Sequence, residues 1–399
     1  MRFSTVAVVA ASAVGVLAED KYLGFNSGAT TDAGDIKKQD DFEKEFAAQQ
    51  KLTGAPGVFN AVRLYTNIKP TTEKSPEPIE AFPAAIKTKT KLLLGMWTSG
   101  TTSVDGELTA LTKAIEKYGK EFTDLVVGIS VGSEDLYRSS ADGVANKAGV
   151  GAEASVLTKF IKDTREKLKD TALKSTPIGH VDTWTAWANG TNKDFINEVD
   201  FVGADLYPYY ENGQNIKMTN EIDNAFPIFE TALNATIKAA GNKPVWITET
   251  GWPVTGPKWN QAEPSSENAQ KYWQEVGCQY FGKLNTFWYI QRDSNPDNKM
   301  KFGLSPKLDG TPLFNLTCPS PSEKRPTSSG STTNNSTTGG NSTTPTSGSG
   351  NGTLSPSGSG GAGGARPTVS QPPSAGAFTT VSKTTLALSA VFAVAAWML

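Results

Sequence analysis

The chain has 399 residues and a formal net charge of −2, with acidic and basic side chains interspersed, so no basic patch offers itself to nucleic acid. It holds a single histidine, which argues against a metal hydrolase built on His ligands, and only two cysteines. No G-x-G-x-x-G turn follows the first apolar run, which counts against a dinucleotide-binding domain.

The N-terminal "MRFSTVAVVAASAVGVLAED" carries one Arg, an apolar run and then Val16-Leu17-Ala18. This pattern predicts a secretory signal peptide over residues 1–18, cleaved after Ala18. The alternatives are a buried N-terminal strand or an anchor helix, but the run is too short to span a bilayer. In an oxidising compartment the lone pair Cys278 and Cys318 is expected to form a disulfide that ties the C-terminal extension to the last helix. Two unrelated thiols are the other reading. Secretion also makes the sequons at Asn189, Asn234, Asn315, Asn334, Asn335, Asn341 and Asn351 usable for N-glycosylation.

Residues 19–320 form the expected folded domain. Short apolar runs recur through it: "KYLGFNSG" (21–28), "FNAVRLY" (59–65), "KLLLGMW" (91–97), "LVVGISVGSE" (125–134), "IGHVDTW" (178–184), "FVGADLYPY" (201–209), "VWITETGW" (245–252) and "LNTFWYIQRD" (284–293). Between them, segments such as 107–122, 153–170 and 224–240 repeat apolar residues three and four apart, as amphipathic helices do. Continuous apolar strands alternating with helices imply a parallel sheet buried on both faces. Eight such units predict the α/β fold of a single (β/α)8 TIM barrel.

Beyond it, residues 321–373 are a Ser/Thr/Gly/Pro tract too poor in apolar side chains to fold, expected to be a disordered, glycosylated linker. Residues 374–399 carry small residues at Ser374-Ala375-Gly376, a polar spacer and a terminal apolar run. That composition fits a GPI-attachment signal with Ser374 as the attachment residue, a tail-anchored or single-pass helix being the alternative. The expected location is extracellular, with the plasma membrane as a partner through the anchor. The protein is expected to be a monomer.

Two of the apolar runs end in a carboxylate, Glu134 and Glu249. A charge at a buried strand end is costly unless something pairs with it or uses it. In a barrel the C-terminal strand ends carry the active site, so both residues face one bowl despite their separation in sequence. Other strand ends supply Tyr65, Trp97, Asp182, Trp184, Tyr207, Trp252, Trp288 and Tyr289, the aromatic and polar lining that a sugar cleft needs. Trp187 and Trp259 fall in loops, where sugar stacking and simple anchoring are both open. His180, inside the fifth run, reads as structural rather than as a ligand, and no G-x-S-x-G elbow is present. Acid/base work by two carboxylates remains, with no metal or cofactor, and that is the general glycosidase solution.

"NAVRLY", "VGSE", "VDTW", "GADLYPYY" and "WITETGWP" together resemble the family 17 glycoside hydrolases, the β-1,3-glucanases of fungal walls and plants, over roughly residues 20–318. The Ser/Thr-rich end is similar to that of GPI-anchored fungal members. The resemblance implies β-1,3-glucan as substrate and partner, a role in cell-wall remodelling, Glu134 as proton donor, Glu249 as nucleophile, and retention of anomeric configuration. Tyr207 is expected to donate a hydrogen bond to Glu249, with Tyr65 the weaker candidate for that task and ordinary barrel-mouth packing the alternative for either. The family commonly has Asn where this chain has Ser133, so the sugar 2-hydroxyl contact is expected to be lost, bridged by water or supplied by another residue. Predominant glucanosyl transfer, or a non-catalytic glucan-binding wall protein, are the competing expectations.

Overall fold

Each of the eight apolar runs becomes a strand because both of its faces meet other protein, and hydrogen-bonded neighbours satisfy its backbone in the dry interior. The computed structural model describes residues 21–211 and 213–320; the expected signal peptide, linker and GPI signal lie outside the described residues. The strands are β1 (Leu23–Asn26), β2 (Ala61–Arg63), β3 (Lys91–Met96), β4 (Val126–Ser133), β5 (Ile178–Thr183), β6 (Val202–Asp205), β7 (Val245–Glu249) and β8 (Thr286–Trp288). Each pairs in parallel with the next, and β8 returns to β1 with Thr286 opposite Leu23. The expected (β/α)8 barrel is the observed one.

Helices fill the crossovers: α1 (Gln39–Gln49), α2 (Ala81–Thr88) and α3 (Asp105–Thr123), then α4 (Asp135–Ser139), α5 (Ala141–Ala145) and α6 (Ala154–Leu168) after β4. Next come α7 (Trp184–Ala188), α8 (Lys193–Glu198), α9 (Ala225–Ala240), α10 (Ser266–Tyr272) and α11 (Cys278–Tyr280). In α6 the buried face is Leu157, Phe160, Ile161, Thr164 and Leu168, with Arg165 and Lys167 in the last turn, where cations suit the helix dipole. Burying each apolar side chain of that face stabilises the fold by about 2 kcal/mol. Among the described residues no helix is long and apolar enough to cross a membrane.

The barrel interior is packed, not hollow. Ala61, Leu93, Phe201, Trp246 and Phe287 fill it, with Phe201 stacked on Trp246 at 4.2 Å between ring centroids. The rings leave no room for a side chain on β5 at Gly179, where a Cβ would lie 2.6 Å from Phe201. A cavity of about 390 Å³ opens at the strands' N-terminal end, lined by Tyr22, Val126, Val127, Trp246 and Asn285 among others, with no carboxylate. That face of a barrel serves stability.

Cys278 is joined to Cys318 with the Cα atoms 5.5 Å apart, which closes a loop of sequence separation 40 around β8. Restricting a loop of that length in the unfolded chain stabilises the fold by roughly 4 kcal/mol.

Candidate active site

Both Glu134 and Glu249 are delivered by an irregularity in their strand. On β7, Ala204 faces Ile247 but Asp205 faces Glu249, so one extra residue, Thr248, is inserted before the carboxylate. On β4, the two residues between Ser130 and Ser133 stand against a single residue, His180, between Gly179 and Val181 on β5. An added residue re-aims every side chain that follows it, since strand side chains alternate between faces. The β4 irregularity passes through Gly132 at φ 89°, where a Cβ would lie 2.5 Å from Asp135 Oδ2 and 2.6 Å from Thr98 Oγ1. Glu134 follows in the left-handed region at φ 56°, a conformation that costs a non-glycine residue about 1 kcal/mol or more. Its backbone N–H is held by the Val181 carbonyl at 2.8 Å.

Glu249 is fully buried and gripped by three donors. Arg63 Nη1 and the Tyr65 hydroxyl donate to Oε1 at 2.5 and 2.8 Å, and the Tyr207 hydroxyl donates to Oε2 at 2.8 Å. Both tyrosines expected to reach Glu249 do so. Burial and then the Glu249 charge push the Tyr65 and Tyr207 phenols well above their ordinary range, so they remain neutral donors. Burial opposes the Arg63 charge, but the Glu249 carboxylate, by its charge and its hydrogen bond, outweighs it and raises its pKa.

Arg63 also ties the ends of β7 and β4 together. Its Nη2 donates to Ser133 Oγ at 2.9 Å, and its Nη1 donates to Asn26 Oδ1 at 2.8 Å. Ser133 therefore accepts from the guanidinium and keeps its own hydroxyl hydrogen for another partner. Glu134, 6% exposed, lies with Oε2 3.9 Å from Arg138 Nη2. Arg138 in turn donates to Ser99 Oγ at 2.7 Å and sits over the Trp97 ring, 5.5 Å from its centroid. Asp135 accepts from Thr98, Ser99 and the Ser133 N–H.

Three expected lining residues are elsewhere. Asp182 is fully buried, and its oxygens accept from the N–H groups of Leu136, Tyr137 and Thr183 and contact His180 Nε2. It fixes the first turn of α4, hence the residue just before it, Glu134. Trp288 is 2% exposed and points into the helix layer, 4.9 Å from Trp273 and 5.7 Å from Phe281 between ring centroids. Phe287 faces the barrel interior, so its neighbour must face out. Tyr289 returns to the bowl beside Tyr207, with ring centroids 6.0 Å apart. Trp252, also 2% exposed, is wedged against Tyr209 and Tyr272 with Nε1 on the Glu263 carbonyl.

Among the described tryptophans, Trp97, Trp184 and Trp259 keep part of their surface exposed. Trp184 donates to Glu211 Oε1 at 2.7 Å. Trp187 is a core anchor, donating to the Gly203 carbonyl and stacked on Phe195. His180 is buried between the Val131 carbonyl and Asp182 Oδ2, both acceptors, so both ring nitrogens donate and the ring is charged. Burial opposes that charge, but the Asp182 contact prevails and raises the pKa. Its role is structural, as expected.

Residues that the sequence reading passes over complete the site: Arg63, Asp205 and Glu107. Glu107 accepts from Thr66 Oγ1 at 2.6 Å and from the N–H groups of Asn67 and Trp97 at 2.7 and 3.1 Å, which clamps the loops after β2 and β3. Burial raises its pKa to about 7 against the lowering effect of those three donors. A carboxyl raised above its unfolded value contributes stability that is complete below the unfolded pKa and lost as pH rises through the folded one. We therefore expect this residue to remove a few kcal/mol of stability between about pH 4.5 and pH 7. Urea unfolding of wild type and Glu107→Gln across that range checks it, since the variant should lose that slope. An identical slope in both would refute it.

A (β/α)8 barrel with two bulge-delivered glutamates at its C-terminal mouth has the architecture of a glycoside hydrolase. Residues 24–305 match the BtgE/BtgC glycoside hydrolase domain, and the chain belongs to that family. It is 49% identical over 315 residues to the "Probable glucan endo-1,3-beta-glucosidase eglC" of Aspergillus oryzae, covering 78% of this chain and 66% of that protein. It is 28% identical over 265 residues to the "Glucan 1,3-beta-glucosidase" of Schizosaccharomyces pombe, covering 64% of this chain and 72% of that one. The chain thus spans slightly less than two thirds of the length of the Aspergillus oryzae relative. Among solved structures, the glycoside hydrolase family 17 β-1,3-glucanosyltransferase of Rhizomucor miehei shares the fold at a TM-score of 0.56 and 23% identity, covering 75% of this chain and 96% of that one.

Proposed function

We propose that this protein is a retaining endo-1,3-β-glucanase that cleaves β-1,3-glucan in fungal cell-wall remodelling. The observation that carries the reading is the pair of re-aimed carboxylates, one of them locked as an anion by Arg63, Tyr65 and Tyr207. Glu249 attacks the anomeric carbon, and Glu134 protonates the departing glycosidic oxygen. The C–O bond to the leaving sugar breaks and a glucosyl ester forms on Glu249. Glu134, now a carboxylate, removes a proton from the incoming water, whose oxygen displaces Glu249. The hydroxyl of Ser133 serves the sugar in the −1 site, and the partly exposed rings of Trp97, Trp184 and Trp259 offer stacking faces.

Proton NMR of laminarin digestion tests this directly. The first products should be β-anomers that later mutarotate. α-Anomers first, or no cleavage at all, would remove the reading. Products longer than the starting oligomer would reassign the main activity to glucanosyl transfer.

We further propose secretion and GPI anchoring through the C-terminal signal, with glycans on the exposed sequons Asn189, Asn234 and Asn315. Phosphatidylinositol-specific phospholipase should release the protein from membranes, and truncation after Pro373 should send it to the medium. Membrane retention of the truncated form would place the anchor elsewhere.

A further inference from the structure

Asp205 ends β6 opposite Glu249, 2% exposed, and takes no part in the mechanism above. Its Oδ1 accepts from Thr248 Oγ1 at 2.8 Å, while Oδ2 has no hydrogen-bond partner among the described residues. Arg63 likewise has an unpartnered buried atom, its Nε, among the described residues. The groups acting on Asp205 are Glu249 and Thr248 from β7, Arg63 from β2, Glu134 after β4 and, in its own loop, Tyr207. One guanidinium cannot neutralise two buried carboxylates, and it is Glu249 that it grips. A second anion with a single hydrogen bond would cost several kcal/mol, so in the free protein Asp205 rests as the neutral acid. Burial, followed by the Glu249 charge, raises its pKa well above the usual range.

Resting on the retaining mechanism proposed above, the charge pattern changes during the reaction. When Glu249 becomes an ester it loses its charge, and the negative charge moves to Glu134, which has just given its proton to the leaving oxygen. Arg63 is then a buried cation whose anion has gone. We propose that Asp205 is a positioning residue that releases its proton to solvent at this stage and serves as the counter-anion of Arg63 until Glu249 is regenerated. On hydrolysis, Glu134 takes a proton from the attacking water, the ester bond breaks, Glu249 recovers its charge, and Asp205 takes a proton back from solvent. Protons and charges balance over the cycle.

The test traps the ester on the full secreted protein with 2-deoxy-2-fluoro-β-laminaribiosyl fluoride, followed by intact mass and by infrared difference spectroscopy with carboxyl-labelled aspartate. On trapping, the wild type should lose a protonated aspartic acid C=O band and gain a carboxylate band. Asp205→Asn should show neither change and should form the ester about tenfold more slowly, the effect of one pKa unit of lost interaction. Asp205→Ser, also unable to ionise, replaces it if the asparagine variant does not fold. An ester formed in the wild type with the aspartic acid band unchanged would overturn this proposal alone. Failure to form any ester by mass would overturn the retaining mechanism and this inference with it.

Discussion

Glu249→Gln is expected to lower turnover of β-1,3-glucan by at least about 10⁴-fold while leaving oligosaccharide binding within a few fold. Glutamine keeps an oxygen for Arg63 and Tyr65 but cannot act as an anionic nucleophile, so the site keeps its shape and loses its chemistry. Glu134→Gln should be equally poor on glucan and recover partly on an aryl β-laminaribioside, whose leaving group needs no proton. The two variants thus fail differently. Steady-state kinetics on both substrates, with calorimetric binding of laminarihexaose, separate them. Near-normal activity of either variant on glucan would dismiss the assignment.

Arg63→Met should destabilise the protein by about 3–5 kcal/mol, because it strands the fully buried Glu249 without its counter-charge. In a Glu249→Gln background the same change should cost far less, with a coupling of about 2 kcal/mol or more between the sites. Chemical denaturation of the two single variants and the double variant closes the cycle. Simple additivity would mean that Arg63 acts through Ser133 and Asn26 instead. Activity should be lost in every member, since the double variant restores only charge balance.

The barrel was legible because its strands are buried on both faces, which leaves unbroken apolar runs between amphipathic helices. Glu134 and Glu249 stood out for the same reason, as ionisable groups closing such runs. Applied evenly, that test also marks Arg63 in "NAVRLY" and Asp205 in "FVGADLY", and both prove central to the floor of the site. Trp288 was misplaced although strand alternation from Phe287 decides its side. Alternation fails to predict the glutamates, because the extra residues in β4 and β7 reset it and only Gly132 hints at one of them. Asp182 was beyond reach, since two of its three partner amides, Leu136 and Tyr137, lie in a helix 46 and 45 residues earlier in the chain.

The Cys278–Cys318 clip also sets how the domain bears mechanical load. If the chain beyond residue 318 is pulled, as on a protein tethered to a membrane and bound to a wall polymer, tension enters the barrel at α11. The intervening chain, including the three-residue strand β8, lies within the closed loop and is bypassed. Without the bridge the pull would strip the packed segment 289–318, with buried Leu316, Leu304 and Ile290, before it reached β8. Tyr289, which follows β8 into the bowl beside Tyr207, would be displaced before the strand itself. With the bridge intact, the floor of the candidate site is insulated from traction on the tail.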